Sequence, residues 1–133
     1  MKSKNIVILL FCWVFSSITH AGECVPKKHA KIPNITGKSY HQARKLLIGN
    51  QWQPFRTLNI NTAKENLGYG NGLTFWNKGY REVENCAGTG MAPCIFNFKD
   101  VYGNNLKIYT EGEEDKKYPA TVSSYEFNCE YFK

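Results

Sequence analysis

Four cysteines follow residue 21, namely Cys24, Cys86, Cys94 and Cys129, and they restrict the chain more than any other feature. An even set of cysteines in a small chain reads as a disulfide framework if the chain works in an oxidising compartment, because cytosolic thiols stay reduced. The start of the chain points to such a compartment. Lys2 and Lys4 supply a positive opening, Ile6 to Phe15 is almost wholly apolar, and Thr19-His20-Ala21 places small residues at the usual cleavage positions. That order is the pattern of a secretory signal peptide. The apolar run is shorter than the ~20 residues that span a bilayer. The expectation is a signal peptide over 1–21, periplasmic or secreted localisation, and no stable membrane insertion after cleavage. The fifth cysteine, Cys12, would leave with the signal.

Four cysteines allow three connectivities. The expected pairs are Cys86–Cys94, closing a short glycine-bearing loop, and Cys24–Cys129, tying the N-terminal segment to the last strand. Zinc is the rival use of such residues. The spacing lacks paired C-x-x-C units and an oxidising compartment consumes thiols, so no metal site and no cofactor are expected.

Beyond Ala21 the chain holds 112 residues, with fifteen basic against eleven acidic side chains. A formal charge of +4 is too mild for a nucleic-acid footprint, and no nucleic-acid partner is expected. The length suits one modest core. The expected organisation is an extended N-terminal arm over 22–31 and a single domain over 32–133.

Within that domain Ser39 is a good helix N-cap, and Gln42 three residues later completes a capping-box pattern. Tyr40, Ala43, Leu46 and Leu47 share one side at helical spacing, with His41, Gln42, Arg44 and Lys45 facing away. Gly49-Asn50 is a stop signal. A helix of about ten residues does not persist alone in water, so it must lie on something. Gln51–Leu58, with Trp52 and Phe55 around Pro54, reads as a short edge strand. Residues 59–72 read as a loop with a helical turn at Thr62–Asn66. Residues 73–133 read as antiparallel strands at Leu73–Trp76, Tyr80–Cys86, Cys94–Lys99 and Leu106–Thr110, with a charged, solvated loop over 111–119. The last run alternates Tyr125, Phe127, Cys129 and Tyr131 against Glu126, Asn128 and Glu130, the period of a half-buried strand. The fold class expected is α+β: one short helix packed on an antiparallel sheet, stapled by disulfides.

Pro33-Asn34-Ile35-Thr36-Gly37-Lys38-Ser39, followed by Ala43 and Leu47, resembles the opening of a PASTA domain. The resemblance covers about 20 residues, Pro33 to Leu47 and their surroundings, and implies a helix-and-strand unit over 32–58. It also implies an extracytoplasmic module linked to peptidoglycan. Family members carry a glycine about eight residues after the alanine, where this chain has Gln51. The stretch Glu84 to Cys94 resembles a segment of small exported proteins of proteobacteria, a likeness that implies a compartment and no activity.

No set of residues reads as catalytic. Gly88-Thr89-Gly90 lacks the lysine and hydroxyl of a phosphate loop. A Cys–His pair needs a free thiol, and the even cysteine count argues against one. Ser39 is a cap, and no enzyme is expected; a distant carboxylate pair such as Glu82 with Asp100 is the catalytic outsider. Exposed aromatics are the remaining feature. Tyr69, Trp76, Tyr80 and Tyr102 lie in or beside turns and are the candidate binding residues. The expected function is that of a non-catalytic envelope protein binding another protein, of inhibitor or immunity type. A module binding cell-wall glycan is the alternative.

Overall fold

The computed structural model describes residues 24–128. The element order is α1 (Tyr40–Gly49), β1 (Gln53–Pro54), α2 (Ala63–Asn66), α3 (Gly72–Asn77), β2 (Val83–Cys86), β3 (Cys94–Lys99), β4 (Asn105–Glu111) and β5 (Thr121–Phe127). The five strands form one antiparallel sheet, so the expected α+β class holds. β4 lies between β3 and β5, while β1 and β2 share the other side of β3. β1 pairs through Gln53 and Pro54, and the proline is tolerated because that strand is an edge.

The sheet has one apolar and one polar face. Phe96 pairs with Ile108 and Phe98 with Leu106, and all four are fully buried. Each such side chain contributes roughly 1.5–3 kcal/mol by leaving water. On the opposite face Asn97 donates to Glu84 (2.6 Å), Lys107 reaches the same carboxylate (3.4 Å), and Tyr109 donates to Glu126 (2.5 Å). Antiparallel sheets solvated on one side carry such polar pairs.

α1 covers the apolar face. The Ser39 hydroxyl accepts from the Gln42 N–H at 3.2 Å, as an N-cap does. Tyr40, Ala43 and Leu47 are buried, and the Tyr40 ring stacks on Phe96 with centroids 3.6 Å apart. Leu46 is a correction to the expected stripe: it is exposed, and the half-buried flank is taken by His41 and Arg44 instead.

Other expectations change. Leu73–Trp76 is not a strand but the body of α3, which buries Phe75 and Trp76, so α1 is not a lone helix. A four-residue run cannot separate the two periodicities. The N-terminal arm is tied to the domain. The Ala30 N–H donates to Asp100 (2.9 Å), the Asn104 amide donates to the Lys28 carbonyl (2.8 Å), and the Trp52 indole donates to the Lys31 carbonyl (3.0 Å). Finally, β5 starts at Thr121, earlier than the 125–131 alternation suggested, and Tyr125 is exposed. Cys129 and Tyr131 lie outside the described residues.

Cys86 and Cys94 face each other across β2 and β3 and form a disulfide. Cys24 is disulfide-bonded as well. Cys129, the partner expected for it, lies outside the described residues, as does the proposed signal segment 1–21.

Candidate functional site

Three loops meet at the end of the sheet where β3 begins: residues 68–71 between α2 and α3, 87–93 between β2 and β3, and 112–120 between β4 and β5. The disulfide closes the base of the second. Inside it the Ala87 N–H donates to the Pro93 carbonyl (2.9 Å) and the Ala92 N–H to the Thr89 carbonyl (3.3 Å). The first loop packs directly on it. A Cβ on Gly70 would stand 2.4 Å from the Ala87 carbonyl oxygen, and Gly70 has φ +56, so no side chain fits there. The third loop is tied to both. The Gly112 N–H donates to the Met91 carbonyl (2.6 Å), the Asn71 amide donates to the Gly112 carbonyl (3.0 Å), and the Asn71 Oδ1 accepts from the Glu114 N–H (3.0 Å).

Three large side chains stand exposed on these loops: Tyr69 (70%), Met91 (64%) and Tyr118 (68%). An aromatic and a thioether on backbone that is already fixed are suited to filling pockets on a partner, since little ordering is needed on contact.

Beneath the loops runs a polar network that locks the third loop to α1. One oxygen of Glu114 receives His41 Nε2 and Lys78 Nζ (3.2 Å), and the other accepts from the Ala120 N–H (2.9 Å). Burial would raise the Glu114 pKa, but these hydrogen bonds outweigh it and hold the carboxyl below its ordinary value. The other ring nitrogen of His41 meets the Tyr80 hydroxyl at 2.8 Å. The Arg44 guanidinium lies over the Tyr80 ring, 4.5 Å from its centroid, and donates to Glu82 at 2.5 Å. The buried Tyr40 hydroxyl donates to the same Glu82 oxygen at 2.8 Å. Burial first, and then the Glu82 charge, push the Tyr40 phenol well above its ordinary pKa.

The residues singled out from the sequence fall in different places. Tyr69 is in the three-loop end. Trp76 is only 5% exposed, with the Arg81 guanidinium 4.3 Å above its ring, so its side chain is not offered to a partner. Tyr80 is half-buried and belongs to the network. Tyr102 is exposed on the β3–β4 turn at the opposite end of the sheet, under the Lys28 ammonium (4.7 Å). Glu82 and Asp100 serve separate networks: Glu82 binds Tyr40 and Arg44, whereas Asp100 accepts from Ala30, Tyr102 and Asn104. Met91, Asn71 and Glu114 are the participants that sequence reasoning missed. An apolar residue at the tip of a glycine loop between two cysteines was the available signal for Met91. Nothing local marks Glu114, whose side-chain partners His41 and Lys78 lie 73 and 36 positions away.

No group of three or more His, Cys, Asp or Glu side chains converges as a metal site among the described residues. Among the same residues no helix is long and apolar enough to cross a membrane. No protein-family profile, curated protein or solved structure gives a significant match to the chain.

Proposed function

We propose that this chain is an exported, non-catalytic protein that binds another protein of the envelope through its three-loop end, as an inhibitor or immunity-type factor does. The observation that carries the reading is Met91 and Tyr69 exposed on loops braced by the Cys86–Cys94 bridge and by the Gly70–Ala87 contact. Interface energy concentrates in a few such anchors, and a fixed loop loses little entropy when they are buried. A disulfide within so short a loop also fits export into an oxidising compartment.

The glycan-binding alternative keeps one supporting observation. Gln51 has φ +70, the left-handed region that glycine favours, at the place where a PASTA-like sequence carries its glycine.

Capture from an envelope extract, run beside sedimentation with purified cell wall, separates the two. A stoichiometric protein partner, lost on Tyr69→Ala/Met91→Ala, supports the first reading. Retention by cell wall with no protein partner replaces it with the second.

A further inference from the structure

We propose that the end of the sheet opposite the three loops is a membrane-docking face, which seats this protein reversibly on a bilayer surface rich in anionic lipid. The inference goes beyond the protein-binding reading and uses none of the residues that carry it. The β3–β4 turn forms the tip of this end. Its geometry is complete without the side chains at its apex. Asp100 Oδ1 accepts from the Tyr102 N–H (3.0 Å) and the Asn104 N–H (2.8 Å), the Asp100 N–H donates to the Asn104 carbonyl (3.1 Å), and Gly103 supplies φ +84. Nothing in such a turn calls for an apolar side chain at 101 or 102. Val101 is nevertheless 71% exposed, more than any other large apolar side chain among the described residues, and Tyr102 beside it is 47% exposed. A valine and a tyrosine on a fixed hairpin tip suit the bilayer interface, where the apolar part enters and the phenol stays at headgroup level.

Charge completes the face. Lys27, Lys28 and Lys31 lie on the arm that Asp100 and Asn104 hold against this turn. All three are exposed, and among the described residues none of them makes an ion pair. The Lys28 ammonium sits instead 4.7 Å over the Tyr102 ring, at the tip itself. The carboxylate in their midst, Asp100, is buried and its oxygens are taken up by Ala30, Tyr102 and Asn104. At the other end of the sheet the stretch 111–117 carries four acids against two lysines. An anionic surface therefore attracts one end and repels the other, so the docked protein turns its three-loop end outward. A soluble polyanion would find the same lysines. Val101 favours the bilayer, because basic residues beside exposed apolar ones are the makeup of an interfacial contact, and a polymer of charged sugars gains nothing from a valine.

The test is sedimentation of the oxidised protein, as recovered from the envelope, with vesicles of equal parts phosphatidylglycerol and phosphatidylcholine. Vesicles of phosphatidylcholine alone and beads carrying heparin, a polyanion without lipid, run beside them. Each lysine beside an anionic bilayer strengthens binding roughly fivefold. Partition should therefore favour the anionic vesicles over the neutral ones by about a hundredfold, and Lys27→Gln/Lys28→Gln/Lys31→Gln should remove that preference. Val101→Ser/Tyr102→Ser should weaken binding to the anionic vesicles at least about tenfold, and added salt should weaken it in the wild type. The substituted side chains are exposed, so the variants should keep the wild-type melting temperature. Tyr69→Ala/Met91→Ala should leave vesicle binding unchanged, which keeps failure of the docking face distinct from failure of the three-loop reading. Equal partition into the two kinds of vesicle overturns the proposal. So does binding to anionic vesicles and heparin alike that Val101→Ser/Tyr102→Ser leaves untouched, since that end would then be a site for polyanions.

Discussion

Removing the Cys86–Cys94 bridge by a double substitution to alanine should loosen the three-loop end and destabilise the whole domain. The two residues are 8 apart in sequence. Closing so short a loop costs the unfolded chain about 2.5 kcal/mol in the loop-entropy treatment. Both side chains are buried, and losing two buried sulfurs adds about 1 kcal/mol. The sum is about 3–4 kcal/mol, which for a domain of this size lowers the melting temperature on the order of 15–20 °C. The bridge at Cys24 stays intact in this variant, so the loss reports on one crosslink. Thermal unfolding by circular dichroism reads the loss of domain stability. Hydrogen exchange reads the loosening of the loops, since the Ala87 and Ala92 N–H groups should lose protection ahead of the β3–β4 ladder. A melting point lowered by less than about 5 °C, with unchanged exchange in the loop, would mean that the glycine packing and strand register hold this end without the bridge.

Other outcomes follow from the same contacts. Asp100→Asn sets an amide NH₂ against donors that now converge on a carboxylate, from Ala30, Tyr102 and Asn104. It should cost about 2–4 kcal/mol in denaturant unfolding and speed tryptic cleavage after Lys28 and Lys31; an unchanged cleavage rate would show that the arm is held elsewhere. Gln51→Gly relieves a left-handed backbone angle on an exposed residue and should raise stability by about 1 kcal/mol, and a loss of stability would contradict that conformation. At low pH, Asp100 and Glu114 both contribute. Burial opposes the shift in each case, but hydrogen bonds hold both below their ordinary values of 3.8 and 4.5. The folded state therefore binds fewer protons than the unfolded one, and stability is full above those values and falls as pH drops through the lower folded ones. Acid titration of unfolding should show that slope in wild type and a shallower one in Glu114→Gln; equal slopes would remove Glu114 from the balance.

What the sequence made legible was local. Ser39, Gln42 and Gly49 bound α1 because caps act within one turn. Cys94–Lys99 and Leu106–Thr110 read as strands because each buries alternate residues against one face. The tight Cys86–Cys94 pair was readable from its spacing. The network was not, because its links join residues such as Tyr40 and Glu82, or His41 and Glu114, that are 42 and 73 positions apart. Glu114 looked like one acid in a solvated run, yet its side chain is 2% exposed. Trp76 was misplaced for a different reason. Leu73–Trp76 carries too few residues to show a period, and only the seat of α3 in the core decides that the indole points inward.

The most direct test of the binding surface is the affinity for the captured envelope protein, measured by titration calorimetry for wild type, Tyr69→Ala, Met91→Ala and Tyr102→Ala. Each of the first two substitutions should weaken binding by about 2 kcal/mol, roughly thirtyfold, while Tyr102→Ala at the far end leaves it unchanged. Weakening by Tyr102→Ala with Tyr69→Ala and Met91→Ala both silent would place the interface at the other end of the sheet and contradict the account.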